Sequence, residues 1–475
     1  MTALWQHQQE ALAWVLAQFE KSQPALLDMG MGTGKTRVAI EVLRAILKGY
    51  TAKYFRCLVC CPKAVIDAWV VKQLPTWMPE IRVLALDQSS SKAKEKALAA
   101  ALADTSPLVV VVNYESAWRL VGLQAIEWSL VIWDEVHRLK SHSGKAAKWA
   151  KKLAQRLKDT HFLGMSGTLL AQNLLDAYGV WWSVGSPIWG KSWTAFRARY
   201  AVQNPAIPGM VIGWRHQSEM SRLIAETTFR RTTEEVIRWL PELIHETLEF
   251  DLTAEEARVY RELVGEFAAA VEDGTITPAN AMVGVLRLLQ VCGGFCRLDE
   301  DSRPYRLVPR PAKQARFGEL LADLSPDEPL VVFCRFRDDI ESVRAECKTH
   351  GRSVSELSGT MNNLAQWQAG ETSTLVAQIQ SGGIGIDLTR ASLGVFYSVG
   401  HSLSEYLQAV ARLHRPGQER STRFYSLVSR LPGTTKPTVE SRAYAALAEK
   451  REVIDGVLEG FGKRKATATR VGERA

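Results

Sequence analysis

Residues 25–47 read ALLDMGMGTGKTRVAIEVLRAIL, and this stretch decides the fold class. The apolar run Ala25–Leu27 opens a strand, the hexapeptide Met31–Thr36 (MGTGKT) follows, and Arg37–Leu47 carries apolar residues at helical spacing. Strand, glycine-rich turn and helix in that order build a phosphate-binding loop, because backbone N–H groups at a helix N-terminus point at an anion. Gly32 and Gly34 let the loop backbone, Thr33 included, approach phosphate oxygens. Lys35 brings positive charge to the terminal phosphates, and the Thr36 hydroxyl is placed to reach Mg2+. The strict pattern GxxxxGK(S/T) has a glycine where this chain has Met29, so the loop departs from it at the first position.

About a hundred residues on, the apolar run Leu130–Trp133 leads straight into Asp134-Glu135-Val136-His137. A strand that ends in paired carboxylates puts Asp134 where it can hold Mg2+ and Glu135 where it can polarise an attacking water. Further strand-like runs lie at Cys57–Cys61, Val83–Ala85, Leu108–Val112 and His161–Met165, with helical stretches between them. This is the pattern of a parallel α/β sheet. A second series of the same kind runs through Glu246–Leu252, Leu330–Phe333, Ser353–Leu357, Thr374–Gln378, Leu393–Ser398 and Thr422–Val428.

Composition bounds the class. A chain of 475 residues exceeds one hydrophobic core, and 46% hydrophobic with 23% charged residues excludes a mainly disordered chain. No apolar run reaches the roughly 18 residues of a membrane span, and no signal-peptide core opens the chain, so an intracellular protein is expected; the compact build suggests a bacterial or viral one. A net charge of +8 permits a polyanionic partner without demanding one. The seven cysteines are odd in number and scattered. Cys57 and Cys60 form a CxxC inside a strand-like run with no second ligand pair at zinc spacing, so buried strand thiols and no structural metal are expected. Residues 169–239 read as a helical, aromatic protrusion whose tryptophans suit packing better than base stacking. Residues 299–311 read as an exposed loop, and 462–475 as a basic disordered tail.

Taken in order, these motifs resemble the Swi/Snf branch of the superfamily-two helicases, with DEVH as the acidic box. LWQHQQEALAWVL (residues 4–16) is similar to the segment holding an adenine-sensing glutamine, here Gln8, although Trp5-Gln6 stands where the family has Arg-Pro. Cys61-Pro62-Lys63 through Trp69 and Asn113-Tyr114-Glu115 resemble first-lobe motifs that touch the nucleic-acid backbone. Ser166-Gly167-Thr168 resembles the motif that couples the γ-phosphate to lobe movement, with Leu169 and Ala171 departing from it. The stretch FRRTTEEVIRWLPELIHETLEFDLTAEEARVY (229–260) resembles the lobe-joining segment particular to this branch, and LLQVCGGFC (288–296) its leucine-rich helix. Val331–Phe336 resembles the fourth motif, Ser381–Thr389 the fifth, and Gln408–Gln418 (QAVARLHRPGQ) the motif that marks the branch.

The resemblance implies an α/β fold of two RecA-like parallel-sheet lobes in tandem with helical insertions. The first lobe is expected over 1–240, with its insertion at about 169–239, and the second over 241–461, with an insertion at about 254–310. It implies ATP and Mg2+ as cofactors and duplex DNA as a non-specific partner, with ATP hydrolysis driving movement along the duplex. Residue by residue, it implies nucleotide contacts at Gln8, Gly385 and Asp387, coupling roles for His137, Ser166, Thr168 and Gln408, and nucleic-acid contacts at Pro62, Lys63, Trp69, Asn113, Ser381, Gly382 and Gly383. Arg412 and Arg415 sit in an arginine-rich turn suited to stabilising charge on a γ-phosphate held by the other lobe. Two other functions remain open at this point: a strand-separating or annealing helicase on forked DNA or RNA, and a nucleic-acid-binding module without ATPase activity.

Overall fold

The computed structural model describes residues 3–49, 54–170, 173–204, 211–237, 239–272, 278–297, 304–379 and 386–459. By internal packing the chain divides into two compact units, Met1–Arg238 with Lys450–Ala475, and Trp239–Glu449.

The first unit is built on β1 (Ala25–Met29), β2 (Arg56–Cys61), β3 (Arg82–Leu86), β4 (Leu108–Asn113), β5 (Leu130–Asp134) and β6 (His161–Ser166). These are the strand-like runs of the sequence. Every residue of β1, β2, β4 and β5 is buried, because a parallel sheet covered by helices on both faces needs apolar residues on both sides of each strand. Helices α1 (Gln6–Glu20) and α2 (Lys35–Gly49) pack on one face. From α1, Ala11, Val15 and Phe19 enter the core at four-residue spacing, and from α2 Val38, Ala39, Val42 and Leu43 meet Leu27, Val59, Val111 and Ile132. Each of the valine, leucine, isoleucine and phenylalanine side chains among them contributes about 1.5–3 kcal/mol by leaving water.

The stretch 169–239, expected to be helical, is only partly so. It contains an antiparallel hairpin, β7 (Ala201–Gln203) with β8 (Val211–Trp214), and then β9 (Thr228–Arg231), which pairs in parallel with β1 at the sheet edge. The sheet order is therefore β3-β4-β2-β5-β6-β1-β9. β9 leaves no apolar run to read: it is four residues long, two of them arginines, and Arg230 is paired with the buried Asp28 of β1 at 3.3 Å. The tryptophan-rich segment packs. Tyr178, Trp181, Trp189, Phe196 and Tyr200 are all buried, with neighbouring rings such as Phe196 and Tyr200 at 4.9 Å.

The second unit carries β10 (Leu243–Asp251), a two-residue ladder of β11 (Phe295–Cys296) with β12 (Tyr305–Arg306), and then β13 (Leu330–Cys334), β14 (Val354–Leu357), β15 (Thr374–Gln378), β16 (Leu393–Phe396) and β17 (Thr422–Arg430). The main sheet is again all parallel, in the order β10-β17-β16-β13-β15-β14. Alternation along β13 feeds two cores: Leu330, Val332 and Cys334 join one face, Val331 and Phe333 the other. The expected loop at 299–311 includes β12, too short for a periodic signal. The tail 462–475 lies outside the described residues. Among the described residues, no helix is long and apolar enough to cross a membrane.

Candidate active site

β6 lies between β5 and β1, and all three strands run the same way. The phosphate loop, the acidic pair and Ser166-Gly167-Thr168 therefore leave the sheet at one carboxyl edge, where open α/β sheets place their ligands.

The loop is gripped from both sides. Gly32 and Gly34 adopt φ of 77° and 86°, conformations that only glycine takes readily. From α1, His7 Nε2 lies 2.8 Å from the Thr33 carbonyl oxygen, and Gln8 Nε2 donates to the same oxygen at 3.1 Å. From the chain after β9, Thr233 Oγ1 donates to Met31 O at 3.0 Å, and Gly30 N donates to Arg231 O at 2.8 Å. Lys35 Nζ donates to Met29 O at 2.7 Å and Gly30 O at 3.1 Å. These bonds explain Met29. It contributes a carbonyl, which any residue has, its backbone is not left-handed, and its side chain is buried in the core. The close approach falls on Gly30 instead.

Tyr114 Oη donates to the Asp134 carbonyl and Trp69 Nε1 donates to Asp134 Oδ2, both at 2.8 Å. Burial pushes the Asp134 carboxyl up, to about 7, and the charge of Glu135 adds to the shift, while Trp69 and Lys35 oppose it. Burial also raises Glu135. The hydrogen bond and charge of His137, with Lys35 and Ser166, outweigh it and hold this carboxyl low, at about 2. Glu135 has φ +56°, a left-handed backbone that costs a non-glycine residue about 1–3 kcal/mol. Its Oε2 accepts from Ser166 Oγ at 3.1 Å and lies 3.2 Å from His137 Nδ1, which is itself 2.9 Å from Ser166 Oγ. Thr168 N donates to Ser166 Oγ at 3.0 Å. A Cβ on Gly167 would stand 3.3 Å from Lys35 Nζ. Lys35, Asp134, Glu135, His137, Ser166 and Thr168 thus form one charged cluster.

Several expected residues sit differently. Trp69 is fully buried against Asp134 and has no surface to offer a nucleic acid, which corrects its assignment as a backbone contact. Pro62 and Asn113 are buried, Asn113 Nδ2 donating to Glu115 Oε2 at 2.9 Å, whereas Lys63 is exposed. Both ends of the Gln8 amide are engaged within the protein, Oε1 accepting from Trp5 N at 3.1 Å. Ser381, Gly382, Gly383 and Gly385 lie outside the described residues. His7, Thr233 and Arg231 went unread in the sequence.

The second unit holds the remaining candidates. Arg412 and Gln408 are buried on the helix Leu403–Leu413, with Gln408 Nε2 donating to Ser404 Oγ at 3.4 Å. Arg415 Nη1 donates to Ile386 O at 3.3 Å. Gln418 Nε2 reaches the carbonyls of Thr389, Ala391 and Leu413, so 408–418 and 386–391 are knitted into one surface. Asp387 is exposed, and its carboxylate accepts from Thr389 N and Oγ1 at 2.9 and 2.8 Å.

Family comparison decides what this arrangement belongs to. The model of the SNF2-related domain matches residues 7–293, more than half of the chain, and that of the helicase conserved C-terminal domain matches 312–417. The chain belongs to the SNF2-related family. Among curated proteins, this SNF2-related chain is 23% identical to the DNA repair and recombination protein RAD54B of Gallus gallus, over 92% of this chain and 52% of that protein. It is also 23% identical to an uncharacterized ATP-dependent helicase of Mycoplasma pneumoniae, over 96% of this chain and 42% of that one. The chain spans about half the length of the curated relatives it matches. Its fold is similar to the Pyrococcus furiosus Hef helicase domain, with a TM-score of 0.53 at 14% identity over 92% of this chain and 97% of that one. Two RecA-like lobes, each a parallel sheet with helices, are the architecture of this SNF2-related chain.

Proposed function

We propose that the chain is an ATP-dependent DNA translocase that couples ATP hydrolysis to movement along duplex DNA without reading its sequence. The observation that carries this reading is the Glu135–His137–Ser166 hydrogen-bonded triangle beside Lys35 at the carboxyl edge of the first sheet. It joins a carboxylate that stays charged at neutral pH to the segment Ser166–Thr168, which is the connection a motor needs between hydrolysis and movement.

In this reading, loop N–H groups and Lys35 hold the β- and γ-phosphates, and Glu135 orients the attacking water. Arg412 and Arg415 supply positive charge to the γ-phosphate in the transition state, an effect worth about 10³-fold or more. Mg2+, when bound, neutralises phosphate charge. The residues that would hold it are Thr36 and Asp134, a small set of hard oxygen donors that suits an ion held mostly by phosphate and water. Gly34 is also required by packing, since a Cβ there would stand 2.2 Å from Gln8 Nε2.

DNA as the partner is supported by the name of the RAD54B relative, a DNA repair and recombination protein, by the net charge of +8 and by the exposed Lys63, and duplex DNA as the track is inferred from membership of the SNF2-related family. The segments that carry Pro62 and Asn113, and the backbone at Ser381, Gly382 and Gly383, belong to the same proposed interface, where contacts to phosphate position the protein without specifying sequence. Displacement of a third strand from a linear triplex tests the reading. Release that requires ATP and fails with Glu135→Gln is expected. Unwinding of forked duplexes with no triplex release would replace this reading by a strand-separating helicase.

A further inference from the structure

Asp134 is held by two side chains that come from neither the phosphate loop nor its own strand. Trp69 donates its indole N–H to Oδ2 from the π-helical stretch Ala68–Gln73. Such widened turns are uncommon and concentrate at functional sites. Tyr114, the first residue of the short helix Tyr114–Ala117, donates its hydroxyl to the Asp134 carbonyl. Both side chains are buried. The strands that lead into these segments, β2 and β4, pair with each other, and β2 also pairs with β5, so the contacts run sideways across three consecutive strands. The same segments carry Pro62, the exposed Lys63 and Asn113.

A charge-assisted hydrogen bond to one carboxylate oxygen fixes the rotamer of the group and commits that oxygen. We infer that Trp69 and Tyr114 are positioning residues through which the segments after β2 and β4 set the place of the Asp134 carboxylate, so that duplex DNA engaging those segments changes how tightly Mg2+-nucleotide is held. The inference rests on the proposed reading of this site as an ATP site that responds to DNA. Trp69 thereby has a role that its burial permits, and DNA acts on it through the backbone that carries it.

The chain contains its own control. Trp133 is fully buried on β5 next to Asp134, and its indole N–H has no hydrogen-bond partner among the described residues. Trp133→Phe therefore makes the same chemical change as Trp69→Phe without deleting a hydrogen bond. Tyr114→Phe removes a single oxygen and keeps the ring.

The test is a Mg2+ titration of fluorescent ADP binding to the full chain, with and without linear duplex DNA, alongside binding in EDTA. Wild type is expected to shift its half-saturating Mg2+ when duplex is added. Trp69→Phe should raise half-saturating Mg2+ about tenfold, as expected for losing a bond to a charged acceptor, and should lose the shift with duplex while keeping its affinity in EDTA. Tyr114→Phe should weaken the shift, and Trp133→Phe should match wild type. Wild-type behaviour of Trp69→Phe overturns the inference alone, and so does an equal loss in Trp133→Phe. If Trp69→Phe does not fold, an undiminished DNA shift in Tyr114→Phe overturns it. Absence of Mg2+-nucleotide binding by wild type would remove the ATP-site reading and the inference together.

Discussion

Gly30→Ala should loosen the phosphate loop. A Cβ on Gly30 would stand 2.3 Å from Thr233 Oγ1 and 2.5 Å from Thr233 N, where ordinary contacts begin at 3.4 Å. The hydroxyl can turn away, but the main-chain nitrogen cannot, so the loop and the segment after β9 must separate by close to an ångström. Overpacking of this kind costs about 1–3 kcal/mol. Separation also strains the Gly30 N to Arg231 O and Thr233 Oγ1 to Met31 O bonds, about 0.5–1.5 kcal/mol each. A total of roughly 2–6 kcal/mol, at about 2–4 °C per kcal/mol for a unit of this size, corresponds to a fall of roughly 4–24 °C in the melting temperature of the first unit. The assay is thermal melting followed by tryptophan fluorescence, with ADP titration in parallel, and a loss of nucleotide affinity of about tenfold or more is expected. Adding Thr233→Ala should recover little of the loss, because the contact at 2.5 Å with the main-chain nitrogen remains. Wild-type melting and binding by Gly30→Ala would refute the account of how the loop is held.

Other predictions concern the charged groups. Lys35→Ala should abolish ATP turnover while leaving DNA binding, measured by fluorescence anisotropy, within a few-fold of wild type. Ser166→Ala removes a hydrogen bond that helps keep the Glu135 carboxyl low. Its pKa should therefore rise, moving the acid limb of the kcat–pH profile upward; an unmoved acid limb would contradict this. In the second unit, burial pushes Asp339 up to about 6, with Lys313 and Ser398 opposing. A raised carboxyl pKa contributes stability below the unfolded value near 3.8 that is lost as pH rises through about 6. Asp339→Asn has no such proton to lose, so its melting temperature should gain on wild type between pH 4 and pH 8. A variant that instead loses ground as pH rises would show that attraction to Lys313 prevails.

Both sheets were legible in the sequence because buried parallel strands must be apolar on both faces. Runs such as Leu108–Val112 and Leu330–Phe333 could therefore be little else. Lys35, Asp134, Glu135 and Ser166 were legible because each follows such a run at the same sheet edge. β9 was not, since an edge strand of four residues is held by pairing with β1 and by the Arg230–Asp28 ion pair. The grip of Thr233 on Met31 crosses 202 residues of chain, a contact that no local pattern encodes. Trp69 was misplaced for a different reason. Its motif neighbours suggested a surface contact, but periodicity does not reveal which polar atom a buried indole will find. Met29 looked like a defect in the phosphate loop, yet the loop uses only its carbonyl.

The most direct test of the central claim is the steady-state ATPase rate of the wild-type chain without nucleic acid and with linear duplex DNA of increasing length, single-stranded DNA or RNA, using Glu135→Gln as the blank. Stimulation by duplex that grows with its length, and is absent from the blank, is the predicted result. A rate that responds only to single strands, forks or RNA, or no hydrolysis under any condition, would contradict the account of a motor that moves on duplex DNA.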